Sequence, residues 1–214
     1  GDILYRDGSG LQRLAKPASN KMLQNTSGGV LSWESVSSDV VKLAELSATS
    51  GATFDIDGYF TSDYEYYTIK FRGITASATG NHMYARVLVG GSVDTSSYYA
   101  RVAGLQYTDH TPSNNYTNYG SGSLTDDWRI GEGDISSTVV AEGGACGSVE
   151  IFDPLNASKW TTIIYKFGQE CDNTEKTFTH GFGTYEATQA ISGIRFYWDS
   201  DNFASINATL YGYK

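Results

Sequence analysis

The sequence predicts an all-β protein, a jelly-roll-like antiparallel sandwich preceded by a small strand-turn connector module, and three observations lead to this fold class. Aromatic residues make up 14% of the 214 residues and charged residues only 18%, a balance that favours strands over charged amphipathic helices. From about Val41 onward, short runs alternate apolar and polar side chains with a period of two. Each run ends at Gly, Asn, Asp or Ser, which favour turns.

The predicted elements begin with the connector module, residues 1–36, ahead of a β-sandwich domain over residues 37–214. In the connector, short apolar clusters are separated by the turn-forming pairs Asp7-Gly8, Ser9-Gly10 and Gly28-Gly29. A module this short cannot bury such clusters within itself, so they must pack on the rest of the chain, on sister chains or on a larger particle. We therefore predict that attachment or oligomerisation depends on Ile3, Leu4, Tyr5, Leu11, Leu14 and Trp33.

The alternating runs of the sandwich domain give about ten candidate strands at the spacing of a β-sandwich. They cover residues 42–47, 52–56, 65–71, 83–89, 98–106, 128–131, 147–152, 160–167, 176–185, 191–198 and 207–213. Residues 36–46 have the one pattern that resembles a helix. We predict a strand there, because Thr49-Ser50-Gly51 follows directly as a hairpin turn.

The alternation also predicts which side chains face the core. In residues 65–71 we expect Tyr67, Ile69 and Phe71 to point inward and Tyr66, Thr68 and Lys70 to face solvent. In residues 83–89 we expect Met83, Ala85, Val87 and Val89 to point inward, with Tyr84 and Arg86 outward. In the last runs, Phe196 is predicted to be buried and Tyr197 to lie on the opposite face.

Residues 107–127 form the longest stretch without strand periodicity, and we predict a recognition loop there. Exposed aromatic rings flanked by Asn, Ser and Asp supply the stacking face and hydrogen-bonding groups that saccharide recognition uses. The candidate receptor-binding residues are Tyr107, Asn115, Tyr116, Tyr119 and Trp128. The competing interpretation places Tyr98 and Trp128 in the core and has the other tyrosines cover sheet edges.

Charge and hydropathy exclude several function classes. A formal net charge of -9 without a Lys/Arg cluster would repel phosphate backbones, so we predict no nucleic-acid partner. No run reaches the roughly 18 apolar residues that a membrane span needs, so we expect no membrane insertion. Cys146 and Cys171 are predicted to be buried free thiols, with a disulfide as the alternative.

The sequence shows no positive signal for catalysis, a cofactor or a metal. His82, His110 and His180 lack the spacing of zinc ligands. Residues 55–58, Asp-Ile-Asp-Gly, begin like a calcium loop but lack its later ligands, so we interpret them as a turn. No Gly-x-Ser-x-Gly motif occurs. We therefore predict a non-enzyme without a cofactor.

A resemblance to phage proteins extends over the whole chain, and residues 64–71, 83–89, 98–100 and 149–154 fit it in order between the two terminal segments. The N-terminal GDILYRDGSGLQRLA with GGVLSWE resembles the connector repeats of bacteriophage tail-fibre proteins. The C-terminal AISGIRFYW, NFAS and ATLYGYK are similar to the ending of a β-sandwich domain common in phage virion proteins. That ending usually carries a Gly shortly before the last strand, where this chain has Ile206-Asn207, so the final turn is expected to differ.

The resemblance implies a structural protein on the surface of a virion. It implies a homotrimeric fibre that contacts other virion proteins through the connector and a host-surface glycan or protein receptor through loops of the sandwich. One alternative is a head-surface decoration or head-fibre protein that contacts capsid subunits. A second is a capsule-degrading glycan hydrolase, which would need two suitably spaced carboxylates.

Overall fold

The computed structural model describes residues 1–35, 38–78, 81–108, 114–120, 123–135, 144–170 and 176–214. These residues form two compact units, Gly1–Asp39 and Val40–Lys214. Their secondary structure consists of strands and turns, and all pairings between strands are antiparallel. Within this part of the chain, no helix is long and apolar enough to cross a membrane. The prediction of an all-β fold is confirmed.

The unit Gly1–Asp39 consists of two hairpins, built from β1 (Ile3–Asp7), β2 (Gly10–Leu14), β3 (Met22–Asn25) and β4 (Leu31–Glu34). The first turn is tight, and the Ser9 backbone N–H donates a hydrogen bond to the Asp7 carboxylate at 2.8 Å. The Trp33 indole N–H donates to the Ala15 carbonyl at 2.7 Å, which ties the second hairpin to the first. No side chain described in this unit is buried, so the unit has no core of its own.

The unit Val40–Lys214 is a sandwich of two antiparallel sheets. Its strands are β5 (Val40–Ala48), β6 (Thr53–Asp57), β7 (Tyr66–Ala76), β8 (Asn81–Val89), β9 (Ser92–Val93), β10 (Tyr99–Thr108), β11 (Asn114–Gly120), β12 (Trp128–Ile135), β13 (Ala145–Phe152), β14 (Thr161–Glu170), β15 (Lys176–Tyr185), β16 (Gly193–Trp198) and β17 (Phe203–Tyr213). The large sheet has the order β11-β10-β15-β14-β13-β7-β17-β5. The small sheet has the order β12-β8-β16-β6, with β9 paired to β8.

Two hairpins, β10–β11 and β14–β15, lie wholly in the large sheet, and the remaining chain crosses between the sheets at each step except from β8 through β9 to β12, which stay in the small sheet. Without the hairpins, the large sheet reads β5-β17-β7-β13 and the small sheet β6-β16-β8-β12. We interpret this order as jelly-roll wiring, in which two Greek keys interlock. The hairpins β10–β11 and β14–β15 continue the large sheet beyond β13, and we call these four strands the sheet extension.

The core lies between the two sheets and follows the predicted alternation closely. Tyr67, Ile69, Phe71, Met83, Ala85, Val87 and Phe196 are buried, as predicted. Phe71 of the large sheet meets Phe196 of the small sheet edge-to-face, with 4.9 Å between ring centroids. The outward prediction is wrong for Thr68, which is buried between Glu150 and Tyr211 on the neighbouring strands. Val89 is only partly buried but packs against the core, in line with the inward prediction, while the neighbouring Leu88 is buried outside the core cluster.

Three further predictions need correction or comment. Residues 107–127 do not form one irregular loop, because β10 continues to Thr108 and β11 pairs with it along its whole length. Cys146 is an exposed free thiol and not a buried one, while Cys171 lies outside the described residues. Residues 40–46 of the helix-like segment do form a strand, as predicted, and residues 36–37 lie outside the described part.

The difference in burial between Phe196 and Tyr197 predicts different costs of truncation. Phe196→Ala should lower the free energy of unfolding by about 3 to 5 kcal/mol, because it removes a fully buried ring. Tyr197→Ala should lower it less, since Tyr197 lies on the opposite face and is partly exposed. Urea denaturation of both variants measures this difference. The reverse order would show that β16 is placed inside out.

Candidate functional site

An apolar patch covers the outer face of the sheet extension, and we call it the outer patch. It consists of Val102, Tyr116, Ile164, Phe178, His180 and Phe182, and its five apolar or aromatic members other than His180 are each 42–56% exposed. The strand register brings these residues together, since Phe182 lies between Val102 on one neighbouring strand and Ile164 on the other. Contiguous exposed apolar side chains mark interaction sites in soluble proteins.

The outer patch surrounds a depression of about 360 Å³. Gly104 lies beneath two of its rings, because a Cβ atom at this position would come within 2.5 Å of the Tyr116 hydroxyl and 2.9 Å of His180 Cε1. The His180 ring also stacks on Phe178, with 5.8 Å between centroids. The missing side chain at Gly104 therefore lets the rings of neighbouring strands converge over the sheet.

In β15, two polar side chains are buried and two apolar side chains are exposed, which is the reverse of the usual pattern. This reversal produces the outer patch. Thr177 and Thr179 are buried, whereas Phe178 and Phe182 on the alternate positions are exposed. The reason lies on the inner face, where the Tyr165 ring packs directly against Gly181. Farther along the strand, the Trp128 indole would come within 2.8 Å of a Cβ atom at Gly183. Because two rings fill the inner positions at Gly181 and Gly183, the phenylalanines of β15 lie on the outer face.

Trp128 is a core residue, which corrects its prediction as a receptor-binding residue. It is fully buried and meets Tyr99 edge-to-face, with 4.9 Å between centroids. Its indole N–H is shared between two carbonyls, at 3.2 Å from Ala100 of β10 and 3.1 Å from Thr184 of β15. The competing interpretation was right for Trp128 but wrong for Tyr98, which is exposed.

The period of two in β11 separates the remaining predicted receptor residues. Tyr116 belongs to the outer patch, whereas Tyr119 packs against the core on the other face, with the Arg129 guanidinium 6.0 Å from its ring centroid. Tyr107 lies opposite the buried Thr177, on the same inner face as Tyr119. Asn115 lies opposite Tyr107 in the register. Of the five predicted residues, the structure thus places only Tyr116 in the outer patch.

Few polar groups border the outer patch. Lys166 lies opposite His180, and Asn118 lies opposite Gly104. Among the described residues, no group of three or more His, Cys, Asp or Glu side chains could hold a metal ion. The Asp55 carboxylate, in the calcium-like sequence, is held by the Arg195 guanidinium in two hydrogen bonds of 2.7 Å. His82 contacts Arg129, and His110 lies outside the described residues.

The predicted attachment residues lie on both faces of the β1–β2 hairpin. Leu4 and Leu11 share one face and are 68% and 74% exposed. Ile3 and Leu14 lie opposite each other on the other face and are half-buried, as is Tyr5 on that face. Trp33 pairs with Leu23 in the second hairpin. The six residues therefore do not form one surface, and Leu4 with Leu11 is the exposed pair.

A carboxylate network fixes the beginning of the sheet extension. The Asp94 carboxylate accepts hydrogen bonds from the Tyr185 hydroxyl, from the Gln189 amide at 3.1 Å and from the Ser96 N–H at 2.7 Å. The Tyr99 hydroxyl donates to the Asp94 carbonyl at 2.7 Å. Desolvation raises the pKa of Asp94, but these hydrogen bonds outweigh it and hold the pKa below its ordinary value.

Comparison with known proteins does not identify a family for this chain. No family model and no curated protein matches the chain. A solved structure of infectious bursal disease virus, Gx strain, is 10% identical with a TM-score of 0.14, and the alignment covers 95% of this chain and 46% of that chain. The chain thus spans about half the length of that viral protein chain. A likeness at this score carries no argument about fold or function.

The lowered pKa of Asp94 predicts a pH-dependent contribution to stability. Because the folded pKa lies below the unfolded one, the stabilisation is present above about pH 4 and is lost as the pH falls through the folded pKa. Asp94→Asn should lower the free energy of unfolding at pH 7 by about 1 to 2 kcal/mol and flatten its decline toward low pH. Urea denaturation at several pH values measures both effects, with the exposed Asp39→Asn as the control. Equal pH profiles for Asp94→Asn and wild type would contradict this role.

Proposed function

We propose that the chain is a fibre-type attachment protein of a bacteriophage particle. The sandwich contacts a host-surface glycan or protein receptor through the outer patch, and the unit Gly1–Asp39 joins sister chains or other virion proteins. The resemblance of the first and last segments to phage fibre and virion proteins supports the class of protein. The single observation that carries the binding role is the outer patch itself.

The outer patch has the physical properties of a contact surface. Its aromatic rings stand on paired strands, so little side-chain entropy is lost when a partner covers them. Tyr116 offers both a ring and a hydroxyl, a combination that is enriched at binding interfaces. Covering five half-exposed apolar side chains removes apolar area from water, which favours association.

The unit Gly1–Asp39 has the properties of an assembly module. It has no buried side chain among its described residues, and it exposes Leu4 and Leu11 on one face of the first hairpin. In a homotrimer, closed symmetry would cover these side chains without leaving an open edge. This supports oligomerisation through the first hairpin.

A head-surface decoration or head-fibre protein is the second candidate function. The composition of the outer patch favours it, because Lys166 is the one charged side chain beside the depression among the described residues. The centres of protein-protein interfaces are likewise depleted in charged residues. In this case the outer patch would contact capsid subunits and not a host receptor.

Removing two rings of the outer patch should separate these candidates. Phage particles carrying Tyr116→Ala with Phe182→Ala should adsorb to host cells at least about tenfold more slowly, because two half-exposed contact rings are lost. Trp160→Ala removes a comparably exposed ring outside the patch and is the matched control. Loss of the protein from assembled particles would favour the head-surface alternative. Normal adsorption and normal incorporation would contradict both.

Charge introduced into the first hairpin should break the oligomer. Leu4→Asp with Leu11→Asp places two carboxylates where we propose apolar contacts between chains, so the trimer should dissociate to monomers at micromolar concentration. Light scattering of the full-length protein measures the mass. Ser27→Asp, an exposed turn position of the same unit, is the control. A wild-type protein that is already monomeric would refute the proposed trimer.

A further inference from the structure

A second depression, of about 760 Å³, lies at one end of the sandwich and shares no residue with the outer patch. We call it the end pocket. It is formed by the segment before β7, with Tyr64, Glu65 and Tyr66, and by the end of β13 and the following turn, with Phe152, Asp153 and Asn156. Its volume lies within the range of about 300 to 1,000 Å³ that is typical of small-molecule sites.

One wall of the end pocket is aromatic and rigid. Tyr66 lies opposite Tyr213 on one neighbouring strand and opposite Phe152 on the other. The three rings stack nearly parallel, with Tyr66 centroid distances of 4.3 Å to Tyr213 and 5.5 Å to Phe152. Each ring restrains its neighbour, so Tyr66 and Phe152 present a preorganised apolar surface to the pocket.

Tyr64 is fixed by a different contact. Its ring packs against the backbone of Gly212, where an added Cβ would come within 2.6 Å of the ring. The ring also meets Tyr67 edge-to-face at 5.9 Å. The hydroxyl-bearing Tyr64 is therefore held beside the pocket by the strand framework and not by a mobile loop.

The other wall of the end pocket carries polar groups. Glu65 is exposed, and its backbone N–H donates to the Tyr213 carbonyl at 2.7 Å, so the sheet fixes the backbone at the position that carries this carboxylate. Asp153 has a positive φ of 54°, a left-handed turn conformation that aspartate adopts more readily than most residues, and Asp153 lines the pocket. The Asn156 side-chain oxygen accepts a hydrogen bond from the Ser158 N–H at 3.0 Å, which leaves its amide N–H groups as donors.

The charges of the end pocket select the ligand class. Glu65 and Asp153 are acceptors for hydroxyl groups, and they would repel carboxylated, sulfated or phosphorylated ligands. Lys159 lies 3.9 Å from Asp153, but both side chains are about half exposed or more, so this ion pair is weak. A ligand that suits both walls has an apolar face for the rings and several neutral hydroxyl groups for the carboxylates.

We propose that the end pocket binds a neutral saccharide. The apolar C–H face of a hexose ring packs against Phe152 and Tyr66, and its hydroxyls donate to Glu65 and Asp153 while Asn156 donates to a ring or hydroxyl oxygen. This assigns a separate site and goes beyond the proposed function, because it uses none of the residues of the outer patch. It is a binding site, and no bond to the ligand is made or broken.

The test uses the full-length protein and saturation-transfer NMR. The probes are the methyl glycosides of glucose, galactose, mannose and N-acetylglucosamine, with methyl glucuronide and N-acetylneuraminic acid as acidic counterparts. At least one neutral glycoside should receive saturation, and the acidic sugars should receive none. Binding by no neutral glycoside, or equal binding by the acidic sugars, would overturn the proposal.

Variants of the pocket residues test whether the neutral glycoside binds in the end pocket. Glu65→Gln and, separately, Phe152→Leu should each weaken the neutral glycoside at least about tenfold, with unchanged thermal midpoints, because Glu65 is exposed and Leu keeps apolar bulk. Trp160→Ala should bind like wild type, since Trp160 lines neither the end pocket nor the outer patch. Binding retained in both pocket variants would refute the site. This measurement does not involve phage adsorption. A failure of the saccharide proposal would therefore not bear on the proposed attachment through the outer patch.

Discussion

The buried indole of Trp128 is the contact on which the sheet extension depends. From β12 of the small sheet, its N–H reaches carbonyls on both β10 and β15 of the large sheet. This one donor fixes the spacing of two strands from different hairpins. Its ring also occupies the space above Gly183, so no larger residue fits the inner face there. Trp128 thereby ties the paired strands of the extension to the small sheet and, together with Tyr165, fills the inner face of β15.

The two candidate binding sites differ in chemistry because they lie on different parts of the sandwich. The outer patch is apolar and nearly uncharged, and it rests on hairpins added to the wiring of the other eight strands. The end pocket combines a ring stack with two carboxylates and rests on β7 and β13, which belong to the wiring itself. The first suits a broad contact, and the second suits a small hydroxylated ligand.

Sequence periodicity predicts strands wherever apolar and polar residues truly alternate, as in residues 65–71 and 83–89. It misses β11, because Asn-Asn-Tyr-Thr-Asn-Tyr-Gly offers no apolar series, and pairing with β10 alone makes it a strand. It also cannot orient β15, since the reason that Phe178 faces solvent is a ring contributed by β14. The end pocket brings together Glu65 and Asp153, which only the register of β7 with β13 makes neighbours.

The two hairpins of the sheet extension are insertions between strands of the eight-stranded framework. The order of the framework strands is the same with or without them. These hairpins can therefore change in sequence or length while the eight-stranded framework keeps its connectivity. Changes in these hairpins would alter the outer patch and leave unchanged the strands that carry the end pocket. The architecture thus separates the outer patch, on the added hairpins, from the end pocket, on the framework, within a single unit.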